Sequence, residues 1–200
     1  MKRKIDKRTI ATKAKLKKIT LDILLHSNVK LNITNLTNMA QINRNTFYLH
    51  YQSIKEIIID IYEDIASDII SEIDKNKIFQ YITSPLLLME TISNYLLKEE
   101  DYLEFLFDSA FSNEALDVLI LSVSNYLTDE YRSLLESTHD IYYYSINFLV
   151  NGYINSLKSW YLSSNRIELG LIQKQISKLS LYGVKETYLI ELNKNNNDKY

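Results

Sequence analysis

The sequence contains no cysteine, one proline and three glycines among its 200 residues. The absence of cysteine excludes a disulfide framework and thiolate chemistry. So few prolines and glycines indicate long helices with few special turns. No apolar run approaches the roughly 18 residues that a membrane span needs, and the basic N-terminus is not followed by the apolar stretch of a signal peptide. We therefore expect an all-α, cytoplasmic protein with no membrane partner.

Patterns typical of catalysis are also missing. The glycines, Gly152, Gly170 and Gly183, do not form a phosphate-binding loop. The three histidines are far apart in the sequence, no HExxH pattern occurs, and no carboxylate pair in an apolar setting suggests acid–base chemistry. The sequence therefore predicts no enzyme, no metal site and no cofactor.

Charge is divided unevenly along the chain. Residues 1–60 hold 12 lysines and arginines against 4 aspartates and glutamates, whereas the remainder holds 11 against 21. A basic block of this kind is typical of a protein that binds a polyanion, and the acidic remainder would be repelled by one. Residues 1–8 predict either a solvated tail or an arm that lies along phosphates or in a minor groove.

The first predicted helix covers residues 9–27 and has an apolar stripe. Its early turns carry Lys13, Lys15, Lys17 and Lys18. A run of lysines is usually a solvated helix face, but the segment that follows this helix favours contact with phosphates instead.

Residues 32–56, NITNLTNMAQINRNTFYLHYQSIKE, predict two short helices, 33–40 and 44–50, joined by a tight turn. Asn32 and Asn43 can each cap the helix that follows. Ser53 and Glu56 form a capping-box pattern that opens a third helix. Two short helices joined by so short a turn predict a helix-turn-helix, whose second helix can enter a major groove.

The second of these short helices has two predicted faces. Phe47 and Tyr51 are four residues apart and are expected to face the core. The residues expected to point outward are Arg44, Asn45, Thr46, Tyr48 and His50. Arginine pairs with guanine, asparagine pairs with adenine, and the other three types contact thymine methyls or backbone oxygens. A half-buried core position is the alternative for Tyr48, and a purely structural role is the alternative for His50.

This segment resembles the DNA-binding domain of TetR-family transcriptional regulators. The resemblance covers residues 8–60 and is carried by Asn32, Leu36, Met39, Ala40, Ile42, Asn43, Arg44, Thr46, Phe47, Tyr48, Tyr51 and Lys55. Two positions depart from the family pattern, since Gln41 stands where glycine is usual and Ile54 where lysine is usual. A non-glycine residue at positive φ costs about 1 kcal/mol, so a slightly altered turn is expected.

The resemblance implies an all-α fold with a three-helix helix-turn-helix head over residues 1–52 and a helical-bundle ligand-binding and dimerisation domain over 53–200. It implies a homodimer that binds an inverted repeat in double-stranded DNA, usually as a repressor, under the control of an effector or a protein partner. The DNA-binding residues that it implies are Arg8, Thr34, Arg44, Asn45, Thr46, Tyr48, His50 and Lys55.

The rest of the chain is predicted to be helical. A long helix over 53–76 carries a continuous stripe of isoleucines, residues 74–83 form a predicted break, and Ser84 with Pro85 begins the next helix. A second capping box is predicted at 137–140, and the polar residues 193–199 are predicted to be disordered.

The last two long helices resemble the family's dimerisation pair. Gly152 and Ser156 are small residues four apart, which would allow two helices to approach closely. The predicted dimer-interface residues are Leu149, Gly152, Tyr153, Ser156, Trp160, Leu169, Ile172 and Ile176. An incidental glycine is the alternative for Gly152.

The second domain is rich in aromatic residues. Aromatic stripes at helical spacing are usually core, but a surplus of tyrosines can also line a pocket for a small apolar or aromatic effector. The candidate pocket residues are Tyr102, Phe105, Tyr126, Tyr143 and Phe148.

A different class of function also fits the sequence. The chain would then be an all-helical interaction module whose basic head binds acidic protein or membrane surfaces. The first helix has only a partial apolar stripe, with no tryptophan or phenylalanine on it, which weakens the membrane version. Preference for one duplex sequence over a scrambled one would separate the two hypotheses.

Overall fold

A computed structural model describes residues 7–98, 100–108, 112–135 and 141–197. Within these ranges the chain forms ten α-helices and no strand, so the all-α prediction is confirmed. None of the described helices is long and apolar enough to span a membrane. The helices are α1 (Lys7–His26), α2 (Ile33–Met39), α3 (Arg44–Tyr48), α4 (Ile54–Glu72), α5 (Ile78–Thr83), α6 (Pro85–Leu96), α7 (Glu100–Asp108), α8 (Ser112–Leu135), α9 (Ile141–Leu162) and α10 (Leu169–Asn197).

The contacts between residues divide the chain into two compact units, each built from two separate stretches. Unit 1 contains the described residues of Met1–Ser67 and Glu99–Leu119. Unit 2 contains the described residues of Asp68–Lys98 and Ile120–Tyr200. The domain boundary expected between residues 52 and 53 stays a prediction.

Unit 1 is organised by α1, α2, α3, α7 and the first part of α4. The isoleucine stripe of α4 is buried as predicted, with Ile57, Ile58 and Ile65 each at most 2% exposed. Tyr62 on the same stripe packs its ring 4.9 Å from that of Phe105, and its hydroxyl donates to the Phe105 carbonyl at 3.3 Å. The core that holds the short helices in place is completed by Leu16 of α1, Leu36 of α2 and Phe47 of α3.

Unit 2 contains a polar link inside its apolar core. The side-chain amide of Gln173 on α10 donates to the hydroxyl of Ser93 on α6 at 2.8 Å and to that of Tyr153 on α9 at 2.9 Å. All three side chains are buried, and burial raises the pKa of the Tyr153 phenol. Because buried polar groups need partners, this triad fixes the register of three helices.

Two irregular segments differ from their sequence predictions. Of the tail or arm predicted for residues 1–8, only Lys7 and Arg8 are among the described residues, and they form the first turn of α1. The predicted break at 74–83 contains a 3₁₀ turn, Lys75–Lys77, and the helix α5. Asp74 caps the turn by accepting from the amide of Asn76 at 2.9 Å, and Tyr81 of α5 is buried. Local capping and a buried aromatic therefore order this segment.

The C-terminal helix also extends further than predicted. α10 runs to Asn197, so residues 193–197 are helical and the predicted disorder there is wrong. Its regular path is interrupted at Gly183, whose φ of 73° lies in the left-handed region that glycine adopts at little cost. Pro85 opens α6 as predicted. The capping box predicted at 137–140 lies outside the described residues.

Candidate nucleic-acid interface

Asparagine side chains set the starts of the two short helices in unit 1. The Asn32 side chain accepts from the amide of Asn35 at 2.9 Å, and that of Asn43 accepts from the amide of Asn45 at 2.8 Å. Both predicted caps are confirmed. Such caps contribute about 1 kcal/mol each, so short helices that are marginal on their own begin at defined residues.

The capping box that opens α4 is formed in part. The Ser53 hydroxyl accepts from the Glu56 amide at 3.3 Å, as the pattern predicts. The Glu56 carboxylate, however, accepts from the amide of Gln52 at 2.7 Å instead of that of Ser53. The Glu56 side chain therefore bonds to a residue that is one position closer to α3 than the standard capping box predicts.

The turn between α2 and α3 is a Schellman motif. The amide of Ile42 donates to the carbonyl of Thr37, and the amide of Gln41 donates to the carbonyl of Asn38, both at 3.0 Å. Gln41 has a φ of 51°, at the position where glycine is favoured. The turn thus keeps both of its hydrogen bonds, and Gln41 carries the strain.

The two faces of α3 are separated as predicted. Phe47 and Tyr51 are buried, and their ring centroids lie 6.2 Å apart. Arg44 and Asn45 are exposed, and Thr46 and His50 are half-buried. Tyr48 is 50% exposed, and its ring makes a T-shaped contact with that of Phe47, so its role in DNA binding stays a prediction.

Leu49, at the end of α3, was missed in the sequence analysis. It is 81% exposed, more than any other large hydrophobic residue in the described part of the chain. Its exposure could have been predicted, because it lies two residues from buried Phe47 and therefore on the opposite side of the helix. An exposed leucine beside Tyr48 offers an apolar contact of the kind that thymine methyl groups accept.

The other predicted DNA-binding residues also lie in unit 1. Arg8 is in the first turn of α1, Thr34 is in the first turn of α2, and Lys55 is in the first turn of α4. All three are exposed. The structure therefore brings every predicted DNA-binding residue into unit 1, on helices α1 to α4 or directly after α3.

The four lysines of α1 between positions 13 and 18 fall into two groups that the sequence did not distinguish. Lys13 is 2.9 Å from a carboxylate oxygen of Asp60, and Lys17 is 3.6 Å from the other and pairs with Asp64. Lys15 and Lys18 are exposed and have no acidic partner among the described residues. Only this second pair is placed to meet an anion without first leaving a carboxylate.

Asp60 contacts three polar side chains in this part of unit 1. The Tyr51 hydroxyl donates to the same Asp60 oxygen that Lys13 contacts. Partial burial alone would raise the pKa of Asp60, but the hydrogen bonds from Tyr51 and Lys13 and the charge of Lys17 outweigh it and lower the pKa. Burial, together with the bond to Asp60, raises the pKa of Tyr51.

The candidate effector-pocket residues are distributed over both units. In unit 1, Phe105 is completely buried against Tyr62, and Tyr102 is half-buried. In unit 2, Tyr126 and Tyr143 are half-buried, and Phe148 is 74% exposed on α9. The effector pocket stays a prediction.

The predicted dimer-interface residues all lie on α9 and α10 of unit 2. Gly152 is exposed, and a Cβ atom placed on it would meet nothing within 4 Å in the described structure. Tyr153 is also on α9, but its side chain is buried and its hydroxyl accepts a hydrogen bond from Gln173. The half-buried members of the set are Leu149, Ser156, Trp160, Leu169, Ile172 and Ile176.

No protein-family model, curated protein or solved structure matches this chain. Within the described ranges, no three acidic or histidine side chains are grouped so as to hold a metal ion.

Proposed function

We propose that this protein is a DNA-binding transcriptional regulator of the TetR type, acting as a repressor that binds an inverted-repeat operator as a homodimer. The observation that carries the proposal is the pair α2 and α3, joined by the Schellman turn at Gln41. This turn presents Arg44, Asn45 and Tyr48 on an exposed face whose back is held by buried Phe47. A short capped helix with such a face fits a major groove.

The chemistry of the exposed face fits a reader of base edges. In this proposal Arg44 and Asn45 contact base edges, since their side chains make the bidentate pairs that guanine and adenine accept. Lys15 and Lys18 on α1, together with Arg8 and Lys55, contact phosphates and supply the salt-dependent part of the affinity. Phosphate contacts orient the protein, and base contacts give it sequence preference.

The exposed surface of unit 2 supports self-association. Tyr144 and Phe148 on α9 are 69% and 74% exposed, and both line a surface groove with Leu179 of α10. Exposed apolar residues clustered on neighbouring helices are typical of an interaction surface. In the proposed dimer, α9 and α10 pack against the same pair of a second copy, and two recognition helices meet half-sites about 34–36 Å apart.

The proposed control is by an effector or a protein partner that acts on the C-terminal helices. Such control requires a difference in effector affinity between the DNA-binding state and the released state, typically about 1–3 kcal/mol of coupling. A small apolar or aromatic effector is the class that the aromatic content of this region favours.

The test is selection of an operator followed by measurement of affinity. The full-length protein is used to enrich sequences from a pool of random duplexes, and the gene's upstream intergenic DNA is tested alongside. Fluorescence anisotropy then compares the best sequence with its scrambled version at two salt concentrations. We expect an enriched inverted repeat bound at least about 10³-fold more tightly than the scrambled duplex, with a steep salt dependence.

The proposal is refuted if no sequence is enriched from the pool and all duplexes bind equally and weakly. The basic head would then be assigned to acidic protein surfaces, as in the alternative hypothesis. Lys77→Ala serves as the control for charge removal, because this exposed lysine lies in unit 2 and outside α9 and α10. Its affinity for the operator is expected to equal that of the parent protein.

A further inference from the structure

One carboxylate joins three parts of unit 1. Asp60 of α4 accepts a hydrogen bond from Tyr51, which lies three residues after the end of α3. The same carboxylate binds Lys13 of α1 at 2.9 Å and has Lys17 at 3.6 Å. Lys13 also lies over the Tyr51 ring, with its amino group 4.8 Å from the ring centroid. The end of α3, the lysine face of α1 and the side of α4 therefore meet at Asp60.

The contact with Tyr51 bears on the position of α3. Tyr51 is 3% exposed, and its amide donates to the carbonyl of Phe47 within α3 at 3.0 Å. A buried phenol needs a partner for its hydroxyl, and Asp60 is the partner it has. A hydrogen bond to an ionised carboxylate is among the stronger kinds. The segment that follows the recognition helix is thus bonded to α3 through the Phe47 carbonyl and to α4 through the Asp60 carboxylate.

The contacts with the lysines bear on the charge that faces a ligand. Lys13 and Lys17 stand on the same helix as Lys15 and Lys18, but their charges are balanced by Asp60 and Asp64. A lysine held in this way does not release a counterion from DNA unless it first leaves its carboxylate. Two of the four lysines between positions 13 and 18 are therefore withheld from phosphates.

We propose that Asp60 is a positioning residue that sets the ratio between specific and non-specific DNA binding. It holds α3 in its reading position through Tyr51, and it withholds Lys13, and together with Asp64 also Lys17, from the phosphate backbone. The first action favours the operator, and the second disfavours random DNA. This inference rests on the proposed function, since it concerns how the same interface discriminates between duplexes.

The experiment compares four full-length variants with the parent protein. Asp60→Asn removes the charge that pairs the lysines and weakens the link to Tyr51. Tyr51→Phe removes only the hydroxyl, and Asp64→Asn removes only the second partner of Lys17. Glu63→Gln is the matched control, because it makes the same charge change at an exposed position three residues along α4. Affinity for operator and scrambled DNA is measured over a series of salt concentrations.

For Asp60→Asn we expect the specificity ratio to fall by about tenfold or more. On scrambled DNA, the dependence of log affinity on log salt should become steeper by about 0.9 for each released lysine. Tyr51→Phe should lower the ratio without steepening the salt dependence, and Asp64→Asn should steepen it without affecting α3. Glu63→Gln should have the same specificity ratio and the same salt dependence as the parent protein.

Equal losses on both duplexes with an unchanged slope for Asp60→Asn would show a merely structural role and overturn the proposal. Identical results for Asp60→Asn and Glu63→Gln would also overturn it. Circular dichroism establishes that each variant folds. If Asp60→Asn does not fold, Tyr51→Phe and Asp64→Asn decide the question, and parental values for both ratio and slope would overturn the proposal.

A measurement without DNA separates this inference from the proposed function. Hydrogen exchange of the amides of residues 44–51 is expected to be faster in Asp60→Asn and Tyr51→Phe than in Glu63→Gln. A parent protein that shows no sequence preference would refute the proposed function, and with it the role in specificity. Exchange rates that do not differ between these variants would instead refute the positioning of α3 by Asp60, whatever DNA binding shows.

Discussion

Gln41 holds a backbone conformation that glycine adopts more easily. Its φ of 51° places it in the left-handed region, where a side chain costs about 1–2 kcal/mol. Gln41→Gly relieves that strain but gives the unfolded chain more freedom. We therefore expect the free energy of unfolding to rise by roughly 0.5–1 kcal/mol, measured by urea denaturation followed by circular dichroism.

The control for this prediction is Gln80→Gly, which replaces an exposed glutamine inside the helix α5. Glycine there should lower the free energy of unfolding by up to about 1 kcal/mol. Opposite signs at the two positions would show that the backbone conformation decides the effect. A Gln41→Gly protein less stable than the parent would mean that the turn at residue 41 is not strained.

His26 carries a pH dependence that can be measured directly. Its ring nitrogen is 3.1 Å from a carboxylate oxygen of Asp101, and that hydrogen bond raises the pKa of the imidazole above its usual 6.5. A raised pKa means that the pair stabilises the fold below the unfolded-state pKa, and that this contribution is lost as pH rises through the folded-state pKa. Both side chains are exposed, so the effect on stability is small.

We expect an NMR titration of the His26 ring to give a pKa above 6.5, and Asp101→Asn to lower it because the acceptor charge is removed. Asp22→Asn is the comparison, since Asp22 acts on His26 only through its charge and should lower the pKa less. A His26 titration that Asp101→Asn leaves unchanged would show that the pair does not form in solution.

At the scale of the elements, local signals were sufficient for the helices that form the candidate interface. Asn32 and Asn43 cap the helices that their positions predicted, and the spacing of Phe47 and Tyr51 identified the buried side of α3. Capping and helical periodicity act over a few residues, so they can be recognised without knowing the fold. The short helices that order residues 74–83 depend on burial of Tyr81, which is not local information.

The pairing of Lys13 and Asp60 could not have been predicted in the same way. The two residues are 47 positions apart, and either could have remained in solvent. Their meeting depends on how α1 packs relative to α4, which charge patterns along one helix do not specify. The lysines of α1 therefore looked equivalent in the sequence, although the structure divides them into paired and unpaired groups.

The exposed face of α3 gives the element-scale prediction. Arg44→Ala removes an exposed side chain in the first turn of α3 that we assign to a base contact. If Arg44 pairs with a guanine, the variant should lose about 1–3 kcal/mol of operator affinity and accept other bases at one position. Anisotropy titrations against single-base operator variants measure both effects. Equal losses on operator and random DNA would instead make Arg44 a phosphate contact.

At the scale of the whole molecule, each compact unit combines stretches that are far apart in the sequence. Tyr62 and Phe105 are neighbours in unit 1 although they are 43 residues apart, so that unit is discontinuous in the chain. The isoleucine stripe of α4 showed that one side of the helix would be buried. It contained no information about which later segment would cover it, and long-range packing of this kind is set by the complete fold.

The C-terminal helix shows a second limit of periodicity, with a consequence for assembly. The apolar stripe of α10 that carries Leu169, Ile172 and Ile176 was predicted to form part of a dimer interface. In the structure, Gln173 and Ser177 are its buried residues, while the predicted stripe is half-buried. A partly exposed apolar stripe on α10 is explained if a second copy covers it, which supports the proposed dimer.

Gly152 offers a test of that assembly. Its surroundings on α9 are open, since an added Cβ atom would meet nothing within 4 Å in the described structure. Replacing a helical glycine should therefore stabilise the isolated chain by up to about 1 kcal/mol. In the proposed dimer the same position lies between closely packed helices, so Gly152→Leu should weaken self-association by about tenfold or more. Sedimentation velocity over a range of concentrations measures the dimer dissociation constant.

The comparison that isolates this effect is Asn94→Leu, which adds a leucine at an exposed position of α6, outside α9 and α10. Both variants add apolar surface, but only Gly152→Leu should shift the protein toward the monomer. Operator affinity should then fall with it, because a monomer presents a single recognition helix to an inverted repeat. A Gly152→Leu protein that dimerises like the parent would remove α9 from the interface, and the exposed aromatics of α9 would need another partner.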